Sequence, residues 1–128
     1  MLRDQPLIPR VERLHALIEE LRVRAPRQLA REVLAQRLGV SVRTIERDLS
    51  ELQAAGVPIG IRRGAGGGYS IDGRPQLPAI VLTPGEAAAL VAALTVVGPR
   101  ASATAHSAMS KLLAALCAHP TVRKEQHP

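Results

Sequence analysis

A mainly helical chain with one small β-hairpin set between two groups of helices is the fold class these 128 residues predict. Three observations point to it. Apolar residues recur at helical spacing in five segments, two short β-prone pieces flank a single glycine-rich bend, and proline- or glycine-bearing breaks separate the periodic stretches. The net charge of +6 favours a polyanionic partner but says nothing about the fold.

The first element is a helix from about Pro9 to Val23. Val11, Leu14, Leu17, Ile18 and Leu21 make a continuous apolar stripe that closes a core, and Glu12, Glu19 and Glu20 lie on its outer side. His15 falls off the centre of the stripe and reads as a partly exposed helix residue. Arg24 and Arg27 follow in a loop, where they are either solvated or within reach of phosphate.

Gln28 to Gly56, QLAREVLAQRLGVSVRTIERDLSELQAAG, reads as two short helices folded across a glycine turn. Leu29, Val33, Leu34 and Leu38 have helical spacing, and Gly39 takes the positive φ that ends such a helix. Ser41 is the natural N-cap of the next helix, about Val42 to Ala55, because its hydroxyl can accept from an orphan N–H of the first turn. At about 100° per residue, Val42, Ile45, Leu49 and Leu52 gather on one face, opposite Arg43, Thr44, Arg47, Ser50 and Glu51. A helix–turn–helix with two guanidinium forks near the start of its second helix fits insertion into a DNA major groove, where Arg suits guanine O6/N7 or phosphate and Thr reaches base or backbone. The competing reading has these arginines merely solvating a surface helix, with Arg47 paired to Glu51 and Arg43 near Glu46.

After Gly56, VPIGIRRGAGGGYSIDG predicts strands at roughly Pro58–Arg62 and Gly68–Asp72 around a tight bend, which adds a wing to the helix–turn–helix. Arg62 and Arg63 at its tip are placed to touch the duplex backbone or minor groove. The run Gly64, Gly66, Gly67 and Gly68 is no nucleotide-binding loop, since it leads into strand-like Tyr69-Ser70-Ile71 instead of opening a helix. Tyr69, the only aromatic residue, is expected to pack the wing against the helices with its hydroxyl at the edge.

Arg74 to Ala79 carries two prolines and reads as an extended linker. Thr83-Pro84-Gly85-Glu86 is a capping box opening a helix to about Val97, Gly98-Pro99 breaks it, and a second helix covers roughly Ser102 to Ala118 with Ala105, Met109, Leu112, Leu113 and Leu116 as its stripe. Both helices read as Ala-rich and amphipathic, with apolar faces that do not consume each other.

LAQRLGVSVRTIERDLSELQAAGVPIGIRRGAGGGYSI resembles the N-terminal DNA-binding part of the WYL-domain transcriptional regulators, bacterial winged-helix proteins related to the DeoR group. The resemblance is close over Val11 to Asp72 and weaker through LPAIVLTPGEAAALVAAL. It implies DNA contacts by Ser41, Arg43, Thr44 and Arg47, assisted from the wing by Arg62 and Arg63. The family's C-terminal effector domain with its Trp-Tyr-Leu motif has no counterpart in this sequence, which has no Trp and ends at Pro128.

Other chemistry finds little support. Cys117, the sole cysteine, forms no intrachain disulfide and is expected as a reduced, buried or semi-buried thiol. With His106 and His119 it makes neither a zinc site nor a catalytic set, so no enzyme activity, cofactor, metal or small-molecule ligand site is expected. A leader is not evident, and the longest apolar run, Ala87 to Val97, is too short to span a bilayer, so a cytoplasmic protein without a membrane partner is expected.

The expected organisation is a winged helix–turn–helix domain at 1–73, a linker at 74–82, a helical hairpin for dimerisation or docking at 83–118 and a flexible tail at 119–128. The expected function is sequence-specific binding of double-stranded DNA by a transcriptional regulator, through a recognition helix at 42–55 and a basic wing at 58–72, as a homodimer joined by residues 83–118. The alternative is a winged-helix protein-interaction module, or a truncated remnant with weak non-specific DNA binding.

Overall fold

The computed structural model describes residues 7–72, 77–98 and 102–118. Its elements are α1 (Leu7–Val23), α2 (Arg31–Leu38), α3 (Val42–Ala54), β1 (Ile59–Arg62), β2 (Gly68–Ile71), α4 (Pro84–Val97) and α5 (Ala103–Cys117). The chain is thus mainly helical, with one antiparallel hairpin and a C-terminal helical pair. It divides into two compact units, Met1–Pro78 and Ala79–Pro128. The expected linker lies partly, and the expected tail wholly, outside the described residues.

In the first unit the α1 stripe meets the inner faces of the next two helices and of the hairpin. Leu17 and Leu21 from α1, Leu34 and Ala35 from α2, Ile45, Leu49 and Leu52 from α3, and Ile59 and Ile71 from the strands form one buried cluster. Complete burial of such a Leu or Ile contributes about 1.5–3 kcal/mol. The turn between α2 and α3 follows from its sequence. Gly39 sits at φ 69°, ψ 33°, and the Val40 N–H donates to the Ala35 carbonyl at 3.1 Å, closing α2 in a Schellman arrangement. Ser41 then starts α3, its Oγ accepting from the Thr44 N–H at 3.1 Å.

Leu29 departs from expectation. It is buried, but α2 begins only at Arg31, and Leu29 pairs with the wing instead. Its N–H donates to the Tyr69 carbonyl at 2.8 Å, and the Tyr69 N–H donates to the Leu29 carbonyl at 2.9 Å. The edge of β2 would otherwise hold unpaired peptide groups, and an extended Leu29 satisfies them while keeping its side chain in the core. Within the hairpin Ile59 faces Ile71, Ile61 faces Tyr69 and Arg62 faces Gly68. Gly68 has φ 156°, and a Cβ there would stand 2.5 Å from the Leu29 carbonyl oxygen, so only glycine lets the two backbones approach.

The second unit opens as its capping box predicts. Thr83 Oγ1 accepts from the Glu86 N–H at 3.0 Å, and Glu86 Oε1 accepts from the Thr83 N–H at 2.8 Å. Ser102 caps α5 by accepting from the Ala105 N–H at 2.9 Å. Two expectations do not hold in this unit. α4 is apolar all round and not amphipathic: among its residues only Ala87 is buried, while Leu90 and Val96 are 46 % and 68 % exposed. Two helices cover only the faces they turn to each other, so the remaining apolar surface has no cover within the unit. Cys117 is exposed, not buried, at the last position of α5, a helix with no buried residue.

Candidate nucleic-acid interface

Three carboxylates on α3 are each engaged by an arginine from another helix. Asp48 is fully buried and takes a two-pronged bond from Arg13 of α1, with Nε donating to Oδ2 at 2.5 Å and Nη2 to Oδ1 at 3.1 Å. One turn along both helices, Arg10 donates to Glu51. From α2, Arg31 donates to Glu46 while also bonding Glu32. The Asp48 hydrogen bond, followed by its charge and that of Glu51, outweighs burial and raises the Arg13 guanidinium pKa, so Arg13 stays charged. Elsewhere Glu20 of α1 accepts from Arg24 at 3.0 Å and lies 3.6 Å from Arg37, which ties α1 to α2.

The pairings that would have made Arg43 and Arg47 ordinary surface residues, Arg43 with Glu46 and Arg47 with Glu51, do not form. Both carboxylates are taken by arginines from α1 and α2, and the Arg43 and Arg47 side chains are exposed. Among the described residues the arginines without a carboxylate partner are Arg27, Arg43, Arg47, Arg62 and Arg63. Four of these are the four arginines singled out from the sequence as DNA contacts.

The two hydroxyls differ in what remains free. Ser41 accepts from the Thr44 N–H and donates to Thr44 Oγ1 at 3.1 Å, so its proton is spent locally as part of the helix cap. The Thr44 hydroxyl hydrogen is left to donate outward. Ser41, Arg43, Thr44 and Arg47 therefore share the first turns of α3, and Arg62 and Arg63 stand on the exposed end of the wing. Between the wing and the start of α2 lies an open groove of about 440 Å³, lined by Arg31, Arg62, Arg63, Gly67 and Tyr69. Tyr69 packs partly against the core.

Sequence reading missed the ion pairs that hold α3. The available signal was Asp48 itself, an acid flanking the stripe of Ile45, Leu49 and Leu52, with Arg10 and Arg13 matching the spacing of Asp48 and Glu51.

Residues 13–70 match the model of a family described as an HTH domain. That span runs from the arginine that binds Asp48 into the second wing strand and contains Ser41, Arg43, Thr44, Arg47, Arg62 and Arg63. No solved structure matches the chain. Residues 13–70 are therefore similar to a helix–turn–helix domain, as the α2–turn–α3 geometry also shows. No helix among the described residues is long and apolar enough to cross a membrane.

Proposed function

We propose that the protein is a sequence-specific transcriptional regulator of double-stranded DNA that acts in the cytoplasm by binding, not by catalysis, and is allied to the WYL-domain and DeoR-like bacterial regulators. α3 reads the major groove through Arg43, Thr44 and Arg47, Ser41 holds the end of the helix beside the backbone, and Arg62 and Arg63 on the wing grip phosphate. One observation carries this reading: every acidic side chain of α3 is engaged by another helix, which leaves Arg43 and Arg47 with no carboxylate to neutralise them.

The helical pair at 83–118 joins two copies. Its exposed Leu90, Val96, Leu113 and Leu116 give an apolar surface, and Glu86, Arg100 and Lys111 are its only Asp, Glu, Lys or Arg residues, so two copies meet with little like-charge repulsion. A homodimer of this kind spaces two recognition helices about 34 Å apart, one turn of duplex. The same apolar surface favours a second reading, a module that docks another protein with weak DNA contact.

Selection from random duplexes at near-physiological salt distinguishes the two. The reader is expected to enrich a motif, and Arg43→Ala, Thr44→Ala and Arg47→Ala should each give up about 1–3 kcal/mol of base discrimination on it. Equal binding by wild type and all three variants would refute it.

A further inference from the structure

Apolar packing alone holds a helix loosely about its own axis, because hydrophobic contact has no direction. Charge-assisted hydrogen bonds do have direction, and α3 has them on both sides of its apolar stripe, one of them a two-pronged fork. On one side Asp48 and Glu51 are held by Arg13 and Arg10 of α1; on the other Glu46 is held by Arg31 of α2. At about 100° per residue, Arg43 and Arg47 fall in the sector between these two anchorages. Rotating α3 either way stretches one set of pairs. A turn of about 10° moves a group at the 5–6 Å helix surface by about 1 Å, which is enough to take a two-pronged guanine contact out of hydrogen-bond range.

The central pair has no other evident use. Asp48 is 0 % exposed, and the Arg13 side chain only 17 %. Buried pairs of this kind add little to stability compared with apolar residues of similar size, so stability alone does not account for one at the heart of the domain. We propose that the Arg13–Asp48 fork, flanked by Arg10–Glu51 and Arg31–Glu46, fixes the rotational setting of α3 and so determines the sequence specificity of the DNA-reading face. Arg13 and Asp48 are positioning residues that act through Arg43, Thr44 and Arg47. The inference rests on the DNA-reading function proposed above.

The test compares full-length wild type with the double variant Arg13→Met/Asp48→Leu, with Arg13→Lys, and with the outer-pair variant Arg10→Gln/Glu51→Gln. Three quantities are measured: the urea midpoint, the salt slope on a non-specific duplex, and the affinity ratio between the selected motif and a scrambled duplex. The double variant is expected to stay folded and keep its salt slope while its ratio falls at least about ten-fold; Arg13→Lys, which keeps charge without the fork, loses ratio as well. The outer pair is partly exposed, so that variant folds regardless and loses about three-fold. An unchanged ratio in the folded variants overturns the proposal. A wild type that selects no motif refutes the DNA-reading function itself, and the clamp falls with it, an outcome separable from the first because it shows in the unaltered protein.

Discussion

Gly68→Ala probes how the wing is attached. The new Cβ would stand 2.5 Å from the Leu29 carbonyl oxygen and 2.6 Å from its carbon, both backbone atoms that cannot swing aside. Relief requires β2 to retreat from Leu29, which breaks the 2.8 Å and 2.9 Å hydrogen bonds joining Leu29 and Tyr69. Two such bonds are worth about 1 kcal/mol each net, and forcing alanine toward φ 156° adds about 1 kcal/mol or more. The expected destabilisation is about 3 kcal/mol, comparable with the 3–5 kcal/mol a core of roughly 70 residues supplies. Gly60→Ala is the control, because its Cβ would meet Ser70 Oγ at an ordinary 3.6 Å. Urea unfolding followed by circular dichroism and by the fluorescence of Tyr69, the only aromatic residue of the chain, reports helices and wing separately. Gly68→Ala unfolding within about 1 kcal/mol of Gly60→Ala would refute the view that backbone pairing seats the wing.

Replacing Arg62 and Arg63 with Ala should weaken binding to every duplex and lower the salt slope by up to about one for each phosphate no longer neutralised; a changed sequence preference would contradict a purely backbone role. Ser41→Ala removes the α3 cap and should cost about 1 kcal/mol in urea unfolding. Ser41→Asp, which restores the cap, should keep stability yet bind DNA more weakly through charge repulsion, and undiminished binding would place Ser41 away from phosphate. Leu90→Glu with Leu113→Glu, both at exposed positions of the helical pair, should leave helicity intact and give a monomer; light scattering that still shows a dimer would count against the 83–118 interface. Glu19, held below its ordinary carboxylate range chiefly by the Arg22 hydrogen bond, contributes stability that is present above the unfolded carboxyl pKa of about 4.3 and lost as pH falls through the lower folded value. The urea-midpoint gap between wild type and Glu19→Gln at pH 7 should therefore narrow as the pH is taken below that unfolded carboxyl value, and a gap that stays constant through acid would rule out the linkage.

Local chemistry made much of the fold legible. Ser41 and the Thr83/Glu86 box announce helix starts because an exposed N–H finds its acceptor three residues away, and Gly39 announces a stop for a similarly local reason. The hairpin was readable from its glycines and β-prone flanks, with strand ends trimmed to Ile59–Arg62 and Gly68–Ile71. Leu29 was misplaced because its decisive partner, Tyr69, lies forty residues away and acts through peptide groups that carry no sequence signature. The Arg13–Asp48 fork was invisible for a related reason. Helical periodicity ranks residues by face on one helix, whereas this pair depends on how two helices are set against each other. α4 misled because alanine-rich sequence looks one-sided only when its few large residues are assumed to face inward, and Leu90 and Val96 do not.

The attachment of the wing through Leu29 and Tyr69 has a bearing on how such a protein diversifies. Hydrogen bonds between peptide groups do not depend on which side chains flank them, so the hairpin end can change its residues without losing its seat. Arg62 and Arg63 are exposed and have no carboxylate partner among the described residues, which makes them free to be exchanged one at a time. Selection, natural or in the laboratory, can thus alter the wing's end independently of the base contacts proposed for α3, provided Gly68 is kept.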